Sequence, residues 1–313
     1  AMQYAIQDFQ ENLWFGGFYR GLIKKTPSGE ISYYTPQGPF ASTNYEMIGQ
    51  DNSLWVSSGG HTSAYAPTYN SYGYYRYEDG NWFNRNISDP FAGSMLDFTS
   101  IYVPKNRNET WLGSFGSGLL KLENGNPVKR YNSSNSSLKT SVGANEIVSG
   151  MVYDSKGNLW ISNYETDKAL VVFRADGTWE DFNLGTKRLG EMIIDQNDQL
   201  WILVPRTSGN GIVVAKELSN GSIRTRFLST TKNNGGLPSN NVNALAMDKD
   251  GEIWVGTESG IAVFYNPSLV FDGGINADAQ QIIIDDGNDI GYLLGNEVVN
   301  DIKIDGGNRK WVA

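Results

Sequence analysis

Short apolar runs alternate with polar turns along the whole chain, and this alternation recurs around seven tryptophans. In the clearest copy, the apolar run Val242–Met247 enters the polar turn Asp248–Glu252 and leaves it as Ile253–Val255. Asp, Asn and Gly tolerate the backbone conformations that a tight turn requires. Each copy therefore predicts a β-hairpin. The seven tryptophans are Trp14, Trp55, Trp111, Trp160, Trp201, Trp254 and Trp311.

The residues around each tryptophan keep a fixed frame. The next residue is apolar in all seven copies, and three copies carry a glycine that opens a third apolar run, Gly21, Gly118 and Gly260. The mean spacing of about 50 residues fits four-stranded propeller blades, and no helical period persists that would indicate a helical solenoid. We therefore predict an all-β fold, a single β-propeller of four-stranded blades over residues 1–313. Five copies place an aspartate six positions before the tryptophan: Asp8, Asp154, Asp195, Asp248 and Asp305.

The blades can be counted from the sequence in two ways. Counted by hairpins there are seven blades, and the last lacks its outer strands because Trp311 lies close to the end of the sequence. Counted by complete periods there are six, with the two ends overlapping to close the ring. We favour seven. Since the sequence begins and ends inside repeats, we also expect it to be a piece of a longer multidomain protein.

The repeated tryptophan and aspartate side chains are better explained by structure than by chemistry. Catalytic groups are normally singular, whereas these residues recur in register. We expect each tryptophan to pack in a core and each aspartate to accept backbone N–H bonds within its own turn.

The composition of the chain makes some classes of binding partner unlikely. The net charge of −9 and a pI near 4.8 argue against nucleic acid or an anionic membrane surface. No apolar stretch approaches the length of a membrane span, so we expect no direct membrane insertion by this segment. The chain has no cysteine and one histidine, which excludes the usual zinc sites.

Residues able to carry catalysis are scarce. His61 lies in a glycine-rich stretch and is expected to be a solvated loop residue. Residues 113–118 are rich in glycine but lack the lysine of a phosphate-binding loop, so we expect a turn there. The acidic stretch 285–289 is expected to be a solvated turn rather than a calcium site. We therefore predict no catalytic residue, no bound metal and no cofactor.

Aromatic residues concentrate between Trp55 and Trp111. Six of the 17 tyrosines fall within residues 65–77. The segment Tyr72–Tyr77 alternates as a blade strand does, with Trp82 on its hairpin partner. Tyr65 and Tyr69 flank a proline and are predicted to lie in a loop, where binding residues concentrate. If the propeller binds a glycan or a peptide, we expect Tyr65 and Tyr69 to line the site, with His61 nearby.

Residues 233–264 resemble the two-component regulator propeller repeat, which is common in periplasmic sensor regions of Bacteroidetes. The resemblance covers all seven frames with variable fidelity. Residues 280–313, with an Ile-rich strand and a final Asn-Arg-Lys-Trp, look like the PorZ-type propeller proteins of that phylum. This resemblance implies export, through a signal peptide, to the periplasm, the outer membrane or the cell surface. The matching residues are Leu237–Val242, Asp248, Gly251, Trp254, Gly256 and Gly260.

Three functional classes follow. The first, which we favour, is a non-catalytic recognition or scaffold module of the bacterial cell envelope, with envelope proteins or glycans as partners. The second is the periplasmic ligand-sensing domain of a hybrid two-component regulator. The third is a polysaccharide-active enzyme, which would require paired carboxylates about 5–10 Å apart across the channel.

Overall fold

The computed structural model describes residues 2–17, 21–34, 37–50, 52–86, 89, 94–105, 107–141, 143–205, 211–285, 287 and 290–313. Within these ranges the chain folds almost entirely into short antiparallel strands. The first sheet contains β1 Met2–Gln7, β2 Leu13–Gly17, β3 Gly21–Lys25 and β4 Ile31–Tyr34. The second contains β5 Glu46–Gln50, β6 Ser53–Ser57, β7 Tyr74–Glu78 and β8 Asn81–Arg85. The third contains β9 Phe98–Tyr102, β10 Glu109–Gly116, β11 Leu119–Glu123 and β12 Asn126–Tyr131.

The remaining sheets continue the same meander. The fourth contains β13 Glu146–Tyr153, β14 Leu159–Asn163, β15 Leu170–Phe173 and β16 Trp179–Phe182. The fifth contains β17 Met192–Ile194, β18 Gln199–Leu203, β19 Ile212–Glu217 and β20 Ile223–Leu228. The sixth contains β21 Val242–Met247, β22 Ile253–Thr257, β23 Gly260–Phe264 and β24 Gln280–Gln281. Two hairpins follow: β25 Ile283–Asp285 with β26 Ile290–Tyr292, and β27 Ile302–Ile304 with β28 Lys310–Val312.

The first strands of successive sheets surround a common axis. Strand β5 contacts β9, β9 contacts β13, and the series continues through β17 and β21 to β27. The third and fourth sheets also pair directly, where Phe115 and Gly116 of β10 meet Ile147 and Glu146 of β13. Four-stranded antiparallel sheets arranged around an axis are blades, so the fold is the β-propeller that the sequence predicts. The choice between six and seven blades stays a prediction.

The core lies between adjacent blades. One apolar cluster joins Trp160 and Leu170 of the fourth blade to Ile202 and Val213 of the fifth. The next joins Trp201 of the fifth blade to the sixth. Among the repeat tryptophans, Trp55, Trp111, Trp160 and Trp201 are buried, and Trp14 and Trp254 are half-buried. Trp311 is 60% exposed, so the expectation that each repeat tryptophan packs in a core is wrong there. Two positions after the tryptophan several copies carry glycine, and at Gly113 and Gly256 a larger side chain would collide with Val148 and Val299 of the neighbouring sheet or hairpin.

The repeated aspartate does more than the sequence indicated. As expected, one carboxylate oxygen accepts the backbone N–H groups two and four residues later. The other oxygen accepts the indole N–H of the repeat tryptophan, at 2.8–3.3 Å, in all five copies that have the aspartate. The side chain therefore ties the turn to the following strand.

The structure confirms most of the other local expectations and contradicts one. The three glycine-opened runs form β3, β11 and β23, as predicted. Tyr74, Tyr75 and Tyr77 lie in β7, and Tyr77 pairs with Trp82 of β8. The expected turn at 113–118 is wrong for most of its length, because β10 continues through Gly116 and pairs with both β11 and β13. In the acidic stretch 285–289, Asp286, Asn288 and Asp289 lie outside the described residues.

Candidate functional site

The propeller axis contains a cavity of about 650 Å³. Most of its wall comes from residues at or just before the first strands of five blades and of the last hairpin, so the arrangement of the blades around the axis creates the site. The rest comes from second strands and from loops. Three kinds of side chain line it: aromatic rings on one side, carboxyl groups with one lysine, and small polar groups. The lining residues are Tyr45, Glu46, Met47, His61, Tyr65, Thr99, Phe115, Ser149, Gly190, Glu191, Leu203, Pro205, Val242, Asn243, Asn300, Asp301 and Lys303.

The aromatic wall is a stack of rings from four parts of the chain. His61 stacks on Tyr65 with ring centres 4.1 Å apart, and Phe115 lies 4.8 Å from His61. Tyr65 also stacks on Tyr164 at 5.4 Å, and the ring of Tyr45 meets His61 edge-on at 5.4 Å. Rings in such offset and edge contacts stabilise one another. The wall is therefore organised before any ligand arrives.

The loop that carries His61 and Tyr65 connects β6 to β7, and Asp97 fixes its position by hydrogen bonds. This side chain is almost completely buried. Its oxygens accept the backbone N–H groups of Thr68, Tyr69 and Asn70 at 2.7–2.8 Å, and the hydroxyl of Thr68 donates a further bond. A buried carboxylate with several N–H donors fixes a loop strongly. Asp97 is thus a positioning residue for the aromatic wall.

His61 is engaged on both ring nitrogens. Nδ1 lies 2.9 Å from the carbonyl oxygen of Thr62, which only accepts, so Nδ1 carries the proton. Nε2 then accepts the hydroxyl of Tyr45 at 2.6 Å. Burial lowers the pKa of His61, which favours this neutral form. The expectation of a solvated loop residue is therefore wrong: the packed rings around His61 exclude most of its solvent contact.

Carboxyl groups form a second part of the cavity lining. Glu46 accepts the backbone N–H of Ile101 at 2.7 Å, and Lys303 pairs with Asp301 at 3.1 Å. Burial, followed by the neighbouring Glu191, raises the pKa of Glu46 well above its ordinary value. The pKa of Glu191 is raised as well. The main cause is desolvation by the surrounding protein, although the side chain itself is exposed to the open cavity.

Lys303 is the counter-charge in this group. Burial alone would lower its pKa, but the facing carboxylates outweigh that effect and the pKa is raised. Asp301 contributes most, followed by Glu191 and Glu46. The cavity therefore holds three carboxyl groups and one ammonium group that sense each other's charge.

One polar group in the cavity has no partner in the protein. Thr99 is 5% exposed and lines the cavity, and its hydroxyl has no hydrogen-bond partner among the described residues. A buried hydroxyl without a partner is costly. The amide side chains Asn243 and Asn300 lie in the same lining. The cavity thus offers stacking surface, negative charge and hydrogen-bonding groups together.

The sequence-predicted site residues are only partly brought together. Tyr65 and His61 both line the cavity and touch each other. Tyr69 does not join them: its side chain is 66% exposed and is not part of the cavity wall, because the chain turns outward over Asp97. Their role in ligand binding stays a prediction.

The carboxyl side of the cavity was missed from sequence. A signal for it exists, since Glu46 and Glu191 each precede the apolar pair Met-Ile, and Asp301 directly precedes Ile302. A carboxylate just before the first apolar run of a repeat lies where first strands approach the axis. This recurrence is visible only once the first strand of each repeat has been identified.

Two further findings concern the described residues. No three His, Cys, Asp or Glu side chains there form a group able to hold a metal ion. No helix among them has the length and apolar character that crossing a bilayer requires.

Comparisons with known proteins support the fold. The family model "Two component regulator propeller" matches residues 236–259. PorZ of Porphyromonas gingivalis, described as an essential surface component of the type-IX secretion system, aligns with a TM-score of 0.82 and 20% identity. That alignment covers 96% of this chain and 43% of PorZ. A search of curated proteins by sequence gives no significant match.

Two other solved structures are similar. The extracellular domain of BT4673 from B. thetaiotaomicron, assigned to a hybrid two-component system, aligns with a TM-score of 0.58 and 16% identity, over 99% of this chain and 36% of that one. Virginiamycin B lyase from Staphylococcus aureus aligns with a TM-score of 0.54 and 13% identity, over 100% of this chain and 91% of the lyase. This chain spans less than half the length of the PorZ and BT4673 chains. It is a β-propeller, and its residues 236–259 carry a two-component regulator propeller repeat.

Proposed function

We propose that this protein is a non-catalytic recognition module of the bacterial cell envelope that binds its ligand in the axial cavity. The observation that carries the proposal is the combination of a preformed aromatic wall with polar groups in a cavity of about 650 Å³. Ligand sites in proteins are concave and largely preformed, with a few polar groups that orient the ligand. Flat rings beside hydrogen-bonding groups suit both sugars and peptide side chains.

A binding role fits this chemistry better than catalysis does. The single histidine, His61, already uses both ring nitrogens within the protein, so it is poorly placed to exchange a proton with a substrate. The lyase among the similar structures shares the fold at 13% identity, and fold alone does not transfer an activity. A hydrolase reading would need Glu46 and Glu191 to act as an acid and base pair. If the purified protein hydrolyses a polysaccharide and the Glu46→Gln and Glu191→Gln variants lose that activity, the proposal of a non-catalytic module is overturned.

The envelope location rests on similarity. PorZ is described as a bacterial surface component and BT4673 contributes an extracellular domain. We propose that the full-length protein is exported to the periplasm or the outer surface. Fractionation of the native host should find it in the envelope; recovery in the cytoplasm would contradict this.

Ligand binding is tested by screening the purified protein on glycan and peptide arrays. We expect a defined set of ligands whose binding is lost in the Tyr65→Ala, Tyr69→Ala double variant, provided that its melting temperature is close to that of the wild type. Binding retained at full strength in that stably folded variant would argue against the aromatic loop as the site.

The second candidate is a sensor domain of a hybrid two-component regulator. The family match at residues 236–259 and the similarity to the BT4673 domain favour it. The two roles share the same cavity and differ in what the rest of the protein does. The full reading frame distinguishes them: a membrane helix followed by a kinase indicates a sensor, and a C-terminal β-sandwich indicates a PorZ-like protein.

A further inference from the structure

The charges in the axial cavity do not balance. Glu46, Glu191 and Asp301 all line it, and among the described residues of the lining Lys303 is the only lysine or arginine. Lys303 already pairs with Asp301 at 3.1 Å. Among the described residues, the two glutamates are therefore left without a cation of their own. Two neighbouring carboxyl groups in a confined space resist ionising together, and a positive group between them relieves that repulsion.

An unused hydroxyl lies in the same cavity. Thr99 is 5% exposed, and its Oγ1 has no hydrogen-bond partner among the described residues. A threonine hydroxyl both donates and accepts, and proteins rarely leave such a group buried and unpaired. A ligand with N–H groups would satisfy it. This observation is independent of the carboxylates and also indicates a bound group.

The aromatic wall completes the environment. Tyr65, His61 and Phe115 present packed rings beside the carboxyl groups. A cation over the face of an aromatic ring is attracted by the ring's quadrupole. Rings and carboxylates in one cavity therefore act on a cation in the same direction, whereas a neutral ligand would use the rings alone.

We propose that the axial cavity binds a primary ammonium group, with the amine between Glu46 and Glu191 and its carbon skeleton against Tyr65. This inference rests on the proposed function and names the chemistry of its ligand. An organic ammonium fits better than a metal ion, because the described residues contain no group of carboxylates arranged to hold one. Such an amine is found on an amino sugar or on a lysine side chain.

The protonation of Glu46 and Glu191 agrees with this proposal. The protein around Glu46 and Glu191 disfavours their charged forms and raises the pKa of both, so each keeps its proton at a higher pH than usual. A bound ammonium would stabilise the carboxylates and release protons, so binding should tighten as pH rises from about 5 to 8. The other titratable groups that line the cavity are Asp301, Lys303, His61, Tyr45 and Tyr65.

The test uses pairs of probes that differ in the acetylation of one nitrogen, which removes its positive charge. Glucosamine is compared with N-acetylglucosamine, and Nα-acetyl-lysine amide with its Nε-acetylated form, by calorimetry at low and high salt. The two pairs separate a sugar source from a peptide source. The variant Glu191→Gln removes one charge without changing shape, and Thr99→Val removes the hydroxyl. Glu30→Gln, on an exposed turn outside the cavity, is the matched control.

We expect at least one amine to bind about tenfold or more tightly than its acetylated partner. Glu191→Gln should weaken that binding by a similar factor and Thr99→Val by several-fold, while Glu30→Gln leaves it unchanged. Weaker binding at high salt is also expected.

Other outcomes overturn the inference. Equal or tighter binding of the acetylated probes shows that the cavity does not select a cation, and then only the proposed function survives. The same holds if no amine probe binds while an array ligand still depends on Tyr65. Amine binding that is unchanged in Glu191→Gln places the cation elsewhere and also overturns the proposal.

Discussion

Replacing Asp195 with Asn is expected to destabilise the fold strongly, because this side chain is buried and is the acceptor for four hydrogen bonds in its repeat. Asp195 is 5% exposed. Its Oδ1 accepts the backbone N–H groups of Asn197 and Gln199 at 2.8 and 3.0 Å. Its Oδ2 accepts the side-chain amide of Gln199 at 2.6 Å and the indole N–H of Trp201 at 3.0 Å.

The size of the effect follows from these four bonds. An asparagine can keep one oxygen toward the backbone, but its amide then faces the two side-chain donors, Gln199 and Trp201. Each buried donor left without an acceptor costs about 1–3 kcal/mol. We therefore expect the free energy of unfolding to fall by roughly 2–6 kcal/mol, which is a large part of the total for a typical domain.

The assay is urea denaturation of the wild type, Asp195→Asn and the matched variant Asp8→Asn. Asp8 makes the same bonds to its own turn and to Trp14 but lies in a turn that is more exposed to solvent. Water can replace the lost acceptor there, so the Asp8→Asn loss should be clearly smaller. Equal losses in the two variants, or none at Asp195, would refute the reasoning that burial makes this bond valuable.

Three further outcomes are expected. Trp201→Ala should lower the free energy of unfolding by about 3–5 kcal/mol, and Trp254→Ala by less, since Trp201 is fully buried and Trp254 only half-buried; equal losses in denaturation curves would contradict this. Because the pKa of Glu46 is raised in the folded state, its stabilising contribution is present below the unfolded pKa of about 4.3 and lost as pH rises. Glu46→Gln should therefore match the wild type near pH 4 and exceed it in stability near pH 8, and parallel pH profiles would exclude the effect. Asp97→Ala should speed hydrogen exchange at the amides of Thr68, Tyr69 and Asn70, because their N–H groups donate hydrogen bonds to Asp97. Unchanged exchange at these amides would exclude a positioning role for Asp97.

The fold could be predicted from the sequence because its information is local and repeated. A polar turn between two apolar runs specifies a hairpin wherever it occurs, and seven registers around tryptophan specify the repetition. The contact between the aspartate and the indole was within reach too, since both residues lie in one frame six positions apart. It was missed because hydrogen bonding was considered only within the turn.

The site could be predicted only in part. Tyr65 and His61 were found because they are neighbours in an aromatic loop. The carboxyl side comes from Glu46, Glu191 and Asp301, which lie more than a hundred residues apart in sequence, and only closure of the ring brings them to one cavity. Tyr69 was grouped with Tyr65 by proximity along the chain, but the bonds to Asp97 set the direction of the loop.

Ligand titration of two single variants tests the central claim, that the axial cavity is the binding site. Tyr65 lines the cavity, whereas Tyr69 lies in the same loop with its side chain 66% exposed and outside the cavity wall. The best array ligand is titrated by calorimetry into the wild type, Tyr65→Ala and Tyr69→Ala. We predict that Tyr65→Ala weakens binding by about tenfold or more and that Tyr69→Ala leaves the affinity unchanged. Wild-type affinity in a folded Tyr65→Ala protein, or a loss confined to Tyr69→Ala, would contradict the account.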